Sequence, residues 1–369
     1  MLRPNQDEQI LLLEGRPYSR SAVERQALQC CGLDDFQGDL WRFLAEWFDE
    51  NDSVPGLSSG STGAPKVMRL EKERMRHSAR LTCSFLGLGP GDAALLCMPL
   101  KYVGAKMMVV RALVAGLNLI CVPPSSRPLR ECPLIPAFAA MTPMQVLSTL
   151  EQPEEAARLR RIGHLIIGGG AVEASLSEQL RDFPNAVWST YGMTETLSHI
   201  ALRRLSGPEA SDWYRPFEGV SLSASPEGSL VIDAPGLCAE QLVTNDLVEF
   251  GSEACFRILG RKDNVINSGG VKVQIETAEE LLRPHLGGAF LITSGPDSKT
   301  GEQVVLLTEG ECPEELLATC KSVLPPYWAP VRALRVKSLP LTGSGKPNRA
   351  AAKLMARELL DSASRTGKG

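Results

Sequence analysis

Short apolar runs alternating with helix-patterned segments constrain this chain more than any other feature. AALLCMPL (93–100), LNLICVP (117–123), the middle of GHLIIGGGAV (163–172) and the start of NAVWSTYGMTET (185–196) are each long enough for one buried strand. A helical stretch from about Lys106 to Ala115 separates the first two, and a polar helix follows the three glycines. Such an order predicts parallel strands with crossover helices, an α/β architecture. Ahead of it, Phe36, Leu40, Phe43, Leu44 and Trp47 recur at helical spacing behind Asp34-Asp35, a capping pair. EKERMRHSARLTCSFLGL (71–88) predicts another helix, ending at Gly89-Pro90-Gly91.

The character changes twice further on. From about Gly219 to Leu259, GSLVIDAPG and QLVTNDLVEF predict short antiparallel strands. Past Gly260 the pattern starts afresh, with two strands about Gly269-Gly270, a helix at AEELLRPH, a hairpin over 289–310 and a helix at PEELLATCKSVL. A strand at PVRALRVKSLP, the loop LTGSGKPNR and a last helix ending near Leu360 complete it, with the tail SASRTGKG expected to be disordered. The expected division is a large domain over 1–260 and a small α+β domain over 261–369.

Composition excludes several classes. With 39 basic and 43 acidic residues there is no basic excess asking for nucleic acid. The most apolar run, MMVVRALVAGLNLICV, is broken by Arg111 and Asn118 and is too short to span a bilayer. MLRPNQDEQI carries charges where a signal peptide needs an apolar stretch. Ten cysteines without a C-x-x-C pair suit reduced cytoplasmic thiols better than disulfides or zinc, and the four histidines form no metal motif. A cytoplasmic enzyme or binding protein is expected.

One segment cannot contribute to a core. LSSGSTGAPK (57–66) is a run of small and hydroxylic residues ending in a lysine. Bare backbone amides, hydroxyls and an ammonium are what a phosphate requires, although a flexible linker has a similar composition. It is not the P-loop pattern, because Pro65 precedes Lys66 and Val67 follows it.

Taken in order, LSSGSTGAPK, GGGAV, STYGMTET, TNDLVEF, GRKDNVINSGGVKV and PLTGSGKPNR resemble the adenylate-forming superfamily of acyl-CoA ligases, luciferases and nonribosomal adenylation domains. The resemblance runs from about residue 56 to residue 350. It implies a large N-terminal domain with layered sheets and a small mobile C-terminal domain. STYGMTETLSHI narrows the resemblance to the o-succinylbenzoate–CoA ligases, with other aryl–CoA ligases and stand-alone adenylation enzymes as alternatives. A catalytically dead binding protein on the same fold is the alternative of another class. Full-sized members carry a longer segment before the phosphate loop than residues 1–57 here, so a homodimer is a candidate cover for the large domain's exposed face.

The resemblance assigns roles. ATP and CoA are co-substrates, with Mg²⁺ as the metal. Ser58, Ser59, Gly60, Ser61, Thr62, Gly63, Lys66 and Thr194 hold the ATP phosphates, and Glu195 holds Mg²⁺, which needs few carboxylates beside phosphate oxygens and water. Gly168, Gly169, Gly170, Tyr191 and Gly192 form the adenine slot. Asp246 and Arg261 take the ribose, with Asn245 where a glycine is usual. Lys346 bridges carboxylate and phosphate oxygens as the catalytic cation, Asp263 is the hinge, and Gly269 and Gly270 let CoA pass. For the acid, Tyr102 stands at a gate position that is often His, and Lys106, Ser198 and His199 are candidates to hold a second carboxylate.

Overall fold

In the computed structural model, residues 9–30, 32–57, 67–297, 301–310, 313–341 and 347–366 are described. The chain divides into two compact units, one made of residues 1–222, 232–242 and 250–257, the other of 223–231, 243–249 and 258–369.

The first unit is built on a nine-stranded sheet. Its order is Arg215–Pro216, His199–Arg204, Ala186–Gly192, His164–Ile167, Phe138–Met141, Ala93–Leu96, Asn118–Cys121, Leu11–Leu13 and Arg16–Tyr18. The six strands from Ala186–Gly192 to Leu11–Leu13 are parallel; His199–Arg204, Arg215–Pro216 and Arg16–Tyr18 pair antiparallel at the edges. Alternation along each strand serves two cores. Leu96, Ala140 and Ile166 face the core that holds Trp41, Met75 and Val109, while Leu95, Met141 and Ile167 face the one that holds Val146, Leu159 and Leu176. The expected α/β class, parallel strands with crossover helices, is what is found, and helices pack on both faces of the sheet.

Local chemistry explains the helices. Asp35 caps Phe36–Phe48 by accepting from the Gly38 N–H at 2.8 Å, as the acidic pair predicted. Lys72–Leu86 ends at Gly87, in the left-handed region, two residues before the predicted stop. Val103–Ala115 begins three residues earlier than its apolar pattern suggested, with Tyr102 at its N-cap, and is buried on nearly every side. Thr142 and Gln145 form a capping box on Pro143–Leu150, and Gln145 Nε2 also donates to the Cys97 and Ser125 carbonyls, each at 3.0 Å.

Chain order reverses between Ala93–Leu96 and Phe138–Met141, since Asn118–Cys121 lies on one side of the former and later parallel strands lie on the other. Open α/β sheets bind ligands beyond the carboxyl ends of strands at such a switch.

In the second unit, Val271–Gln274, Val265–Ser268, Gly301–Thr308 and Phe290–Asp297 are sheet neighbours in that order, and Arg332–Arg335 pairs parallel with Gly301–Thr308. The predicted strands and helices past Gly260 are all present. Arg349–Thr366 runs on past Leu360 into the segment expected to be disordered. Ser221–Ala224, Ser229–Asp233, Leu242–Phe250 and Phe256–Arg261 form a further, four-stranded sheet.

Candidate active site

The Ala186–Gly192 strand delivers the chain into a tight turn at its carboxyl end. A Cβ on Gly192 would collide with the Ser198 carbonyl oxygen, so only glycine lets the strand and the returning residue 198 approach this closely. Thr194–Thr196 form a single 3₁₀ turn. Thr196 holds it from inside: fully buried, its hydroxyl accepts from the Met193 N–H at 3.0 Å and donates to the Ser198 carbonyl at 2.6 Å. Leu197 adopts φ 63°, a strained conformation for a residue with a Cβ. The turn leaves Thr194 half-buried and Glu195 exposed, and it sends Ser198 and His199 inward.

What they meet there is Arg111. Its Nη2 donates to Ser198 Oγ at 2.9 Å, its Nη1 approaches Met108 Sδ at 3.6 Å, and its Nε has no hydrogen-bond partner among the described residues. Arg111 is 1% exposed, and no described carboxylate pairs with it. Burial pulls its pKa down to about 10. His199 is buried between Ser198 Oγ, 3.3 Å from its Nδ1, and Thr82 Oγ1, 3.1 Å from its Nε2. Burial, then repulsion from Arg111, drives the His199 pKa well below the usual 6.5, so the imidazole is neutral.

Lys106 goes elsewhere. It lies five residues before Arg111 on one helix, about 140° away around the axis. Its ammonium sits 3.7 Å from Glu46 and 4.7 Å from the centre of the Phe43 ring, both on Phe36–Phe48. Ser198 and His199 thus meet a guanidinium that the motif comparison did not assign, while the lysine it did assign faces a carboxylate. Tyr102 is one-third exposed at the N-cap, with the Lys101 ammonium 5.2 Å from its ring centre.

Gly168, Gly169 and Gly170 follow the end of His164–Ile167, where the Gly168 N–H donates to the Met141 carbonyl at 3.1 Å. On the neighbouring strand, the Tyr191 ring packs edge-on against Phe256 at 5.2 Å and Tyr214 at 5.9 Å.

In the second unit, Asp246 and Arg261 come together. Arg261 Nη1 meets Asp246 Oδ1 at 3.2 Å and its Nη2 meets Asp263 Oδ2 at 3.1 Å, while the Asn245 amide donates to the same Asp263 oxygen at 3.3 Å. Burial lowers the Arg261 pKa, but its carboxylate neighbours, Asp263 foremost, carry it above the usual value. Gly269 and Gly270 connect Val265–Ser268 to Val271–Gln274 with φ of 60° and 87°, a two-residue hairpin turn that demands left-handed backbone at both positions. Arg349, at the end of the PLTGSGKPNR motif, forks onto buried Glu279 with two contacts of 2.6 Å.

Ser58, Ser59, Gly60, Ser61, Thr62, Gly63, Lys66 and Lys346 lie outside the described residues. For Mg²⁺ the test is Glu195, whose exposed carboxylate has no ion-pair partner among the described residues and belongs to no group of three metal-ligating side chains there. A lone carboxylate fits a magnesium ion that keeps waters and phosphate oxygens as its other ligands. Arg111, Thr82 and Thr196 were missed by motif reading.

The comparisons with known proteins agree with this architecture. The model of the AMP-binding enzyme family matches residues 43–222. The crystal structure of an acyl-CoA synthetase (AMP-forming)/AMP-acid ligase II-like protein from Dyadobacter fermentans is 32% identical, with 90% of this chain and 97% of that chain covered and a TM-score of 0.62. The chain belongs to the AMP-binding, adenylate-forming enzyme family. A 2-succinylbenzoate–CoA ligase of Bacillus cereus strain Q1 is 26% identical over 342 residues, which cover 82% of this chain and 70% of the relative. The o-succinylbenzoate coenzyme A synthetase (MenE) of Bacillus subtilis, solved with ATP and a magnesium ion, shares the fold at a TM-score of 0.71 and 17% identity, over 93% of this chain and 96% of that one.

Proposed function

We propose that this chain is an ATP-dependent acid–CoA ligase whose acid is an aromatic dicarboxylate, o-succinylbenzoate. One carboxylate oxygen of the acid attacks the α-phosphorus of ATP and pyrophosphate leaves. The CoA sulfur, having lost its proton, then attacks the acyl carbon of the adenylate, and AMP leaves. Charge gathers on the phosphate in the first step, so catalysis rests on fixed cations and donors. The Ser/Gly loop with Lys66, Thr194 and Lys346 takes that role. Mg²⁺, when bound, withdraws charge from phosphate oxygens, and Glu195 is the residue that would hold it. Asp246 and Arg261 take the ribose, Gly168–Gly170 and Tyr191 the adenine, and Gly269–Gly270 the CoA arm, the 261–369 domain turning about Asp263 between steps.

The observation that carries the substrate reading is Arg111. A guanidinium in a core without a carboxylate costs several kcal/mol unless an anion completes it. The ring carboxylate of o-succinylbenzoate is such an anion, held unreacted while the succinyl carboxylate is activated. The B. cereus relative's name supports the same acid. Cysteine usage supports work in the cytoplasm, and a homodimer is the assembly we favour.

The test is acid-dependent release of pyrophosphate and AMP with ATP, Mg²⁺ and CoA, the thioester being identified by mass. o-Succinylbenzoate is expected to exceed its analogue without the ring carboxylate by about a hundredfold in kcat/KM, the discrimination typical of a site built around a polar group. Equal turnover of the two acids refutes the dicarboxylate reading. No acid-dependent AMP from any carboxylate refutes the ligase reading.

A further inference from the structure

The side chains beside Arg111 form one connected line: Arg111 Nη2, Ser198 Oγ, the His199 ring, Thr82 Oγ1 and the Ser78 carbonyl, the last contact being 3.2 Å. Only two of these polarities are fixed by chemistry alone. A guanidinium always donates and a carbonyl always accepts. Between them stand two hydroxyls with one hydrogen each and a neutral imidazole with one.

Counting hydrogens separates the two tautomers. With the proton on Nε2, His199 donates to Thr82, Thr82 donates to the Ser78 carbonyl, and Ser198 donates to bare Nδ1 while accepting from Arg111. Both hydroxyl hydrogens and the ring hydrogen then have an acceptor. With the proton on Nδ1, Ser198 receives from both Arg111 and His199, and its own hydrogen has no acceptor among the described residues. Ser198 is half-buried, so that hydrogen would have to go to solvent, and only the Nε2–H arrangement closes the line within the protein.

We propose that Thr82 is a positioning residue for the substrate's second carboxylate: accepting from His199 and donating to the Ser78 carbonyl, it fixes His199 as the Nε2–H tautomer, so that Ser198 gives its hydrogen to Nδ1 and keeps its lone pairs for Arg111, which aims the guanidinium. The low basicity of buried His199 supports the ordering, because a doubly protonated ring would reverse the Ser198 bond. Thr82 stands on Lys72–Leu86, is fully buried, and is separated from His199 by 117 positions, so no motif joins them. The proposal rests on the reading of Arg111 as the anchor for that carboxylate.

The experiment records ¹⁵N spectra of histidine-labelled protein, in which the four histidines are few enough to assign His199 by its substitution. The parent protein and Thr82→Ser are expected to show the Nε2–H tautomer, and Thr82→Val to lose it. In the same variants, KM for the dicarboxylate should rise about tenfold in Thr82→Val, the scale of one lost hydrogen bond, with kcat and the KM for ATP little changed and Thr82→Ser near the parent. An Nδ1–H tautomer in the parent overturns the proposal, and that outcome needs no Thr82 variant to fold. Retention of both tautomer and KM in Thr82→Val overturns it as well. Failure of the dicarboxylate as a substrate leaves the tautomer result standing, so the two readings fail separately.

Discussion

Arg111 Nη2 donates to Ser198 Oγ at 2.9 Å, joining a core helix to the turn that follows the Ala186–Gly192 strand, 87 positions apart. The pairing is unusual because Arg111 is a cation held by a neutral hydroxyl and a thioether. Removing a buried charge that lacks a partner relieves its desolvation cost, while removing an anchor destroys binding. Arg111→Met should therefore unfold at a urea midpoint no lower than the parent's, yet raise KM for the dicarboxylate by about a hundredfold or more. Loss of several kcal/mol of stability with unchanged KM would make Arg111 a structural residue.

Lys106 supplies the matched comparison. Its ammonium is already 3.7 Å from Glu46 and lies over Phe43, so it has an anion of its own. Lys106→Met is expected to change KM for the dicarboxylate by less than about threefold and to alter stability by about 1 kcal/mol or less in either direction, since a partly exposed ion pair contributes little. The measurement is steady-state kinetics beside urea unfolding. A dicarboxylate KM that rises as far as in Arg111→Met would return the lysine to the acid pocket.

These two cations show what was legible in the chain beforehand. The α/β class, the parallel core strands and the βα pattern past Gly260 follow from local periodicity, and they are observed. Motif spacing marked Ser198 and His199, which the fold does place together. Lys106 is the cation the resemblance offers for the acid, but the roughly 140° between it and Arg111 on the helix leaves Arg111, not Lys106, facing residue 198. A signal for Arg111 was present, a single charge inside MMVVRALVAG, but it registered only as an interruption of an apolar run. Thr82 and Thr196 gave none, because a hydroxyl's role in a buried network depends on partners far away in sequence. The three-residue strands Leu11–Leu13 and Arg16–Tyr18 were too short to show a period.

The Asp263 carboxylate is tied to Arg261 and Asn245 in the turn Lys262–Asn264. If backbone rotation there separates the two half-reactions, proline at 263 should spare the first and block the second, because it fixes φ. Asp263→Pro is expected to form acyl-AMP within about threefold of the parent rate and thioester at least about a hundredfold more slowly, a conformational step having become limiting. Asp263→Asn, which keeps the backbone free, should remain close to the parent in both. Rapid-quench measurement of each half-reaction checks this, and equal rates for Asp263→Pro in both would place the pivot elsewhere.

Stability should depend on pH through buried His199 and half-buried His164. Burial lowers the His199 pKa far below 6.5, and burial followed by repulsion from Arg204 lowers that of His164. An unfolded chain protonates both near 6.5, so below that pH the unfolded state binds more protons than the folded one. Stability is then level above about pH 6.5 and falls as the pH drops below it, by up to about 1.4 kcal/mol per pH unit for each histidine. Glu302 and Asp49, whose folded pKa values are also depressed, act in a lower window, since their unfolded values are 4.5 and 3.8. Urea unfolding between pH 7.5 and about 5 therefore isolates the histidines. The slope should shrink in His199→Gln and again when His164→Gln is added, even where the variants differ in absolute stability. An unchanged slope in His199→Gln would mean that His199 is protonated in the folded protein, contrary to its burial beside Arg111.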